Sequence, residues 1–297
     1  MEKVHDKERF FKYVSPSTAL KILERSAVRY SSPLIFNDPF DIQSGLHFPF
    51  DINTLPERVL QRVTEIVNSE SRPRVDEDDD FGKALILAWK NRGKRELPEF
   101  LLRSFLVSLW DRIILYQSEC QQLWGSEFLP RLRVFSVSED HDNLLMWSHY
   151  AQNHTGAVFA FKVMAEDDNA LRVAQPVIYR PIPPPLFSEE DWIGFILGTK
   201  QLEPNDQLFM HYAYYKSDIW AYEKEWRVWL LEPEPRKELF SDYALLQDEL
   251  ETIYLGCKMD PQQKEEITNL VAMNYPGTQV FQARRPVDEY RLYFEKL

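Results

Sequence analysis

The chain has 297 residues, 44% of them apolar and 14% aromatic, enough to build a packed core in one large domain or two small ones. A net charge of −12 argues against a broad nucleic-acid surface, which draws on clustered Lys and Arg. Two cysteines, Cys120 and Cys257, are too few for a disulfide scaffold or a four-ligand zinc site. No apolar run approaches the roughly 20 residues that cross a bilayer, and the first residues are charged, so the expectation is a soluble cytoplasmic protein with no membrane partner.

Phe10–Val14 alternates as a strand, and Ser15-Pro16 supplies a cap and an early proline for a helix through Ala19, Leu20, Ile22 and Leu23. Val28–Ser32 reads as a second strand, followed by a proline-punctuated turn through Asn37, Asp38 and Asp41. From about 54 to 130 the texture becomes helical, with Val59, Val63, Ile66 and Val67 and then Phe100, Leu101, Phe105, Leu109 and Ile113 on helical spacing. The acidic run Asp76–Asp80 reads as a solvated loop between two of these helices.

Arg133–Ser138 alternates as a strand, a capped helix follows through Leu144–Ala151, and Gly156–Phe161 returns as a strand. Thr199–Tyr215 is expected to be helical, and Thr252–Leu255, a helix opened by Pro261 and Gln279–Ala283 make a terminal strand-helix-strand unit. The fold expected is a single α+β domain spanning 1–297 with a helical insertion at 54–130.

The densest chemistry is Trp220–Arg227. Read as a pleated run over Tyr222–Leu230, it sends Glu223, Glu225 and Arg227 to one face, with the two acids about 6 to 7 Å apart. Such like charges need a cation, a metal or a substrate between them, and Arg227 and Lys216 are at hand; an exposed, ion-paired strand face is the plainer alternative. Ser136 and Ser138 alternate in the same way and are candidates to bond a ligand or a catalytic carboxylate. On the helix after them, Trp147 and Tyr150 are near neighbours and His149 is offset, either as a catalytic group or as an ordinary hydrogen-bonded histidine. Asn37, Asp38 and Asp41 either cap their own turn or join Glu223 and Glu225 in an oxygen-ligand magnesium site of the kind used in phosphodiester hydrolysis. Gly-rich phosphate loops, Gly-x-Ser-x-Gly, His-Glu-x-x-His and Cys-x-x-Cys are all absent from the sequence.

The segments Leu34–Asp41, Phe135–Ser138 with Leu145–Tyr150, and Trp220–Arg227 together resemble the bacterial DUF2971 family, in an order that covers nearly the whole chain. A looser resemblance joins strand-helix-strand, Ser-x-Ser strand and Glu-x-Glu strand: it is similar to the ADP-ribosyltransferase fold, including its DNA-modifying members with a helical insert. That resemblance implies an ADP-ribosyltransferase-like mixed sheet core and an NAD-dependent glycosyl transfer to a macromolecule, a nucleic acid among the candidates, in a setting such as phage defence. It implies NAD as a substrate and no metal. Glu225 would be the catalytic acid, Glu223 its upstream partner, and His149 a third catalytic group. Ser136 and Ser138 would support the nucleotide, and Trp147, His149 and Tyr150 would stack on its rings, with Asn37 and Asp38 also at the nucleotide. The first-strand position held by Arg or His in those enzymes falls near Tyr13, with Lys12 beside it and Arg29 on the next strand as a further cation. Two other classes remain open from the residues alone, a magnesium-dependent nuclease using Asp38, Asp41 and Glu223, and a non-catalytic nucleotide sensor.

Overall fold

The structure is a computed structural model that describes residues 2–49, 51, 54–75, 80–93, 113–164 and 169–297. It is a mixed α+β chain that divides into two compact units, one made of Met1–Gln43, Leu129–Ile182 and Tyr214–Leu297, the other of Ser44–Phe128 and Pro183–Ala213. The strands named below all belong to the first unit.

That unit is built on a ten-stranded mixed sheet. Strand β1 (Arg9–Val14) leads into the helix Pro16–Arg25, which is started by Ser15, whose hydroxyl accepts the Thr18 N–H at 3.2 Å, and stopped by Ser26 in the left-handed region. Strand β2 (Ala27–Ser31) follows at once, as the cap and proline predict. Strand β3 (Leu132–Ser138) and strand β4 (Ala157–Lys162) enclose the short helix Leu144–His149, whose cap Asn143 accepts the N–H groups of Leu145 and Met146. Strands β5 (Gln175–Pro176), β6 (Ile178–Arg180) and β7 (Tyr215–Ser217) are short. Strands β8 (Glu225–Leu231), β9 (Phe240–Ala244) and β10 (Leu250–Leu255) come next, and the helix Pro261–Asn274 carries the chain from β10 to its parallel neighbour β11 (Gln279–Arg284), ahead of β12 (Tyr293–Lys296).

Period-2 alternation sorts the core into two layers. Along β4, Ala157, Phe159 and Phe161 join one cluster, which includes Ile22 and Leu23 of the first helix and Ile267 and Val271 of the helix Pro261–Asn274. Val158 and Ala160 join the other, with Phe11, Tyr13, Met146 and Trp147. Burial of this apolar surface at roughly 25 cal/mol per Å² drives the assembly of the sheet with its covering helices.

The sheet forks at β3. One edge of β3 pairs with β8 along its whole length, from Leu132 opposite Leu231 to Ser138 opposite Glu225. The other edge is shared: β2 meets it at Val134 through Ser31, and β1 meets it at Ser138 through Phe11. Between those two points β1 and β2 diverge, leaving the stretch around Ser136 open on that side.

In the second unit the described α-helices are Leu55–Asn68, Asp80–Lys90, 113–122, Glu189–Ile196 and Asp206–Tyr212, and a π-helical turn, Leu123–Phe128, continues the third. Val59, Val63 and Val67 pack with Leu85, Ile113, Trp192 and Ile196, the helical spacing of the sequence realised as a buried stripe. The sequence segment 183–213 shares this unit with 44–128, whereas the insertion was expected from residues 54–130 alone. Phe100, Leu101, Phe105 and Leu109 lie outside the described residues, as do Asp76–Asp79, while Asp80 opens a helix.

Two local expectations change. The helix expected over Thr199–Tyr215 is confined to Asp206–Tyr212, because Pro204 is incompatible with a helix interior and Asn205 caps the helix by accepting the Leu208 N–H at 2.9 Å. The strand expected from Tyr222 begins only at Glu225: Asp218–Glu223 is a 3₁₀ turn, and Lys224 ends it at φ 44°, in the left-handed region. A non-glycine residue there costs about 1–2 kcal/mol. Lys224→Gly is therefore expected to keep or raise the denaturation midpoint, and Lys224→Val, whose β-branched side chain tolerates this region less than lysine does, to lower it, measured by urea unfolding.

Candidate functional site

The left-handed residue Lys224 explains how the two acids meet. Glu223 ends the 3₁₀ turn and Glu225 begins β8, and the reversal between them turns both carboxylates onto one cation, Lys216 of β7. Lys216 Nζ donates to Glu223 Oε2 at 2.6 Å and to Glu225 Oε2 at 2.9 Å, and lies 3.4 Å from Asp41 Oδ2. Arg227, two residues along β8, donates to Glu225 at 2.7 and 3.0 Å and holds both oxygens of Asp41 at 2.8 and 2.6 Å. Three carboxylates and two cations thus form a closed network. Its members are nearly inaccessible, Arg227 at 1% exposure and Glu225 at 6%. The acids are ion-paired, as the plainer sequence reading has it, but they are buried rather than on an exposed face.

The two acids differ in their surroundings. Burial alone would push the Glu225 carboxyl up, but Arg227 and Lys216, with a hydrogen bond from Ser136, outweigh it and hold it well below the usual carboxylate range. For Glu223 burial prevails, with Lys216 opposing and the Glu225 charge adding to it, so its carboxyl sits above the usual range. Tyr150 donates its hydroxyl to Glu223 Oε1 at 2.5 Å. The Glu225 backbone N–H is received by the Tyr179 hydroxyl at 2.8 Å, which fixes the start of β8.

The site opens into a cavity of about 560 Å³ at the fork of the sheet. Of the residues singled out from the sequence, Tyr13, Arg29, Asn37, Ser136, Ser138, His149, Tyr150, Glu223 and Glu225 line it. Ser138 donates to the Glu223 carbonyl at 2.7 Å, tying the serine strand to the acid turn. His149 Nδ1 is 3.0 Å from the Tyr222 hydroxyl, and His149, Trp220 and Tyr222 form edge-to-face and tilted ring contacts. Tyr13 lines the cavity with its hydroxyl committed to the Asp140 carbonyl at 2.9 Å. Arg29 is held by Asp242 through two bonds at 2.8 and 3.0 Å, so its charge is already balanced.

Asp38 and Trp147 are not among the lining residues. Asp38 accepts the Phe40 N–H at 2.9 Å and caps its own turn. Trp147 is fully buried, donates to the His141 carbonyl and packs edge-on against Tyr13, a core role. The buried acid of that turn is instead Asp41, beside Ile42, which is strained at φ 65°. Among the described residues no group of three or more His, Cys, Asp or Glu is arranged to hold a metal ion; Lys216 and Arg227 occupy the space between Asp41, Glu223 and Glu225.

Two residues gain weight beyond the sequence reading, Lys12 in the cavity and Tyr179 behind Glu225. Lys12 lies over the Phe135 ring and donates to the Ser136 carbonyl at 2.7 Å; burial pushes its amine down to about 8, against a smaller upward pull from Glu225. Tyr179 carries no sequence signal, being one aromatic in a proline-rich stretch.

Residues 146–228 match the family model described as Protein of unknown function (DUF2971). The DUF2971 resemblance is borne out over that segment. It holds Met146, His149, Tyr150, Lys216 and both acids, so the DUF2971 segment carries most of the charged network, with Asp41 and the Ser-x-Ser strand contributed from before it. No curated protein and no solved structure matches the chain.

Removing one partner of a buried pair leaves uncompensated charge, so Arg227→Met is expected to cost about 3–5 kcal/mol in chemical denaturation, against about 0–1 kcal/mol for a cut in a surface pair such as Lys224 with Asp140. Lys12 is the group to look for in alkali. With its amine at about 8 in the fold and at the ordinary value near 10.5 when unfolded, it is a penalty below 8 that fades as pH rises toward 10.5. Lys12 is accordingly expected to be the lysine first acetylated by a limiting amine reagent near pH 8, as read by peptide mass mapping.

Proposed function

We propose that the chain is an ADP-ribosyltransferase-like enzyme that takes NAD into the cavity at the sheet fork and transfers ADP-ribose to a macromolecular acceptor. One observation carries this reading: two carboxylates, Glu223 and Glu225, converge on one cavity with their proton affinities driven in opposite directions. Adjacent acids separated in this way are assigned opposite roles. Breaking the bond from ribose C1′ to the pyridinium nitrogen leaves the electron pair on nicotinamide and positive charge on the sugar. Glu225, ionised and fixed by Arg227 and Lys216, is suited to stabilise that charge without reorganising. Glu223, with a raised proton affinity and the Tyr150 hydroxyl on it, is suited to accept the proton released when the acceptor's nucleophilic atom bonds to C1′.

Other features support the reading. The strand carrying Ser-x-Ser, β3, pairs with β8, at whose start the Glu-x-Glu acids lie, which agrees with the order of elements in the resemblance, and the cavity volume falls within the ~300–1,000 Å³ of small-molecule sites. Lys12 offers a cation to the diphosphate, and Phe36, His149 and Tyr150, which line the cavity, offer flat faces for a ring. The nuclease reading loses ground, because the positions between the acids are filled by Lys216 and Arg227.

One observation favours a non-catalytic nucleotide sensor as the second reading: Glu225 is already neutralised by two cations in the free protein.

Incubation with NAD labelled in its adenylate half, followed by scoring of nicotinamide release and labelled macromolecule, tests the proposal. Glu225→Gln is expected to lower turnover by about 100-fold or more, and Tyr150→Phe, which spares the ion pairs, by about 10-fold. Because Glu225 is part of the buried network, its variant is expected to lose stability as well, so turnover is compared well below the melting temperature. NAD binding with no nicotinamide released would favour the sensor.

A further inference from the structure

A second cavity, of about 410 Å³, lies in the same unit near the opposite end of the helix Leu144–His149: Leu144 lines this cavity, whereas Met146 and His149 line the first. Besides Leu144, its walls come from three separate segments: His154 in the loop before β4, Cys257 and Lys258 after β10, and the run from Arg285 to Leu292 between β11 and β12. The first two of these loops are tied together. Lys258 N–H donates to the His154 carbonyl at 2.9 Å, and Gly256 N–H to the Gly156 carbonyl at 2.8 Å. Three consecutive residues, Gln152, Asn153 and His154, are held at positive φ, an unusual backbone outlay for a plain connection.

The charges on this cavity are unbalanced. Lys258 and Arg285 carry no ion pair or side-chain hydrogen bond among the described residues, in a chain of net charge −12. Of the remaining charged groups, Arg291 and Glu289 pair with each other, and Asp288 is the one acid left. His154 reports on the cluster: burial, then Lys258 and Arg285, hold its imidazole below the ordinary histidine range. Ser148 donates its hydroxyl to the Leu144 carbonyl at 3.0 Å, so in the 3.3 Å contact of Ser148 with His154 Nε2 the imidazole is the donor. His154 Nδ1 is left buried with no partner.

We propose that this cavity binds a small phosphate-bearing anion, held by Lys258 and Arg285 with His154, on the same wall, as a third, proton-dependent charge. An anion here offsets the two cations and stabilises the positive charge of a protonated imidazole beside them. Binding of the anion and protonation of His154 therefore favour each other. The groups that face His154 and set this coupling are Lys258 from one loop and Arg285 from another, with Cys257, Asp288, Glu289 and Arg291 on the same cavity.

The experiment is a titration of the His154 imidazole followed by proton NMR, its signal assigned by its loss in His154→Gln. It is run in inorganic phosphate and in chloride of matched ionic strength. Phosphate is expected to raise the His154 midpoint by about half a pH unit or more over chloride. In the double variant Lys258→Gln, Arg285→Gln, that difference is expected to vanish, and because both side chains are exposed the core is untouched. A midpoint equal in phosphate and chloride overturns the proposal, as does an equal rise in the double variant. A parallel titration with AMP separates the two sources of the anion: a stronger response to AMP marks a nucleotide phosphate, and an equal or weaker one a free phosphate.

Discussion

Lys216 and Arg227 hold the candidate site together. Three buried carboxylates, Asp41, Glu223 and Glu225, would repel one another strongly in a low-dielectric interior, and taking each out of water costs several kcal/mol. Two cations placed among them turn that repulsion into a network of charge-assisted hydrogen bonds of 2.6–3.0 Å. The geometry of the turn at Asp41, the 3₁₀ turn ending at Glu223 and the start of β8 is coupled through these two side chains. Loss of Lys216 would leave Glu223 with no cation, and loss of Arg227 would leave all three acids sharing Lys216 alone.

The same network creates the chemical asymmetry. Glu225 touches both cations and is held ionised, whereas Glu223 touches Lys216 alone, is buried, and faces the Glu225 charge. A site with a permanently ionised acid and a neighbour of raised proton affinity suits a reaction that builds positive charge and moves one proton. The fork of the sheet supplies the space for it. Where β1 and β2 part on the edge of β3, backbone gives way to cavity, and the side chains of all three strands reach it.

Much of the first unit was legible because local signals agreed with the global fold. Ser15-Pro16 marked the first helix, alternation marked β1, β3 and β4, and Asp260-Pro261 marked the helix between β10 and β11. The convergence of Glu223 and Glu225 was also legible, although by a different route: a pleat was expected, and a left-handed Lys224 does the work. The partnership of Asp41 with Arg227 was not, since 186 residues separate them and nothing local marks the pair. Asp38 and Trp147 looked like site residues because their neighbours are; one caps its turn and the other is core. The gathering of 183–213 with 44–128 was hidden for the same reason as Asp41, being a matter of packing between distant segments.

The central claim is that Glu223 and Glu225, two residues apart, are driven to opposite protonation behaviour by Lys216, Arg227 and burial. Selective ¹³C labelling of glutamate carboxyls with an NMR pH titration measures this directly. The account predicts that Glu223 titrates above the usual carboxylate range, while Glu225 stays ionised on acidification until the fold itself is lost. Two glutamates titrating together near their ordinary values would contradict it.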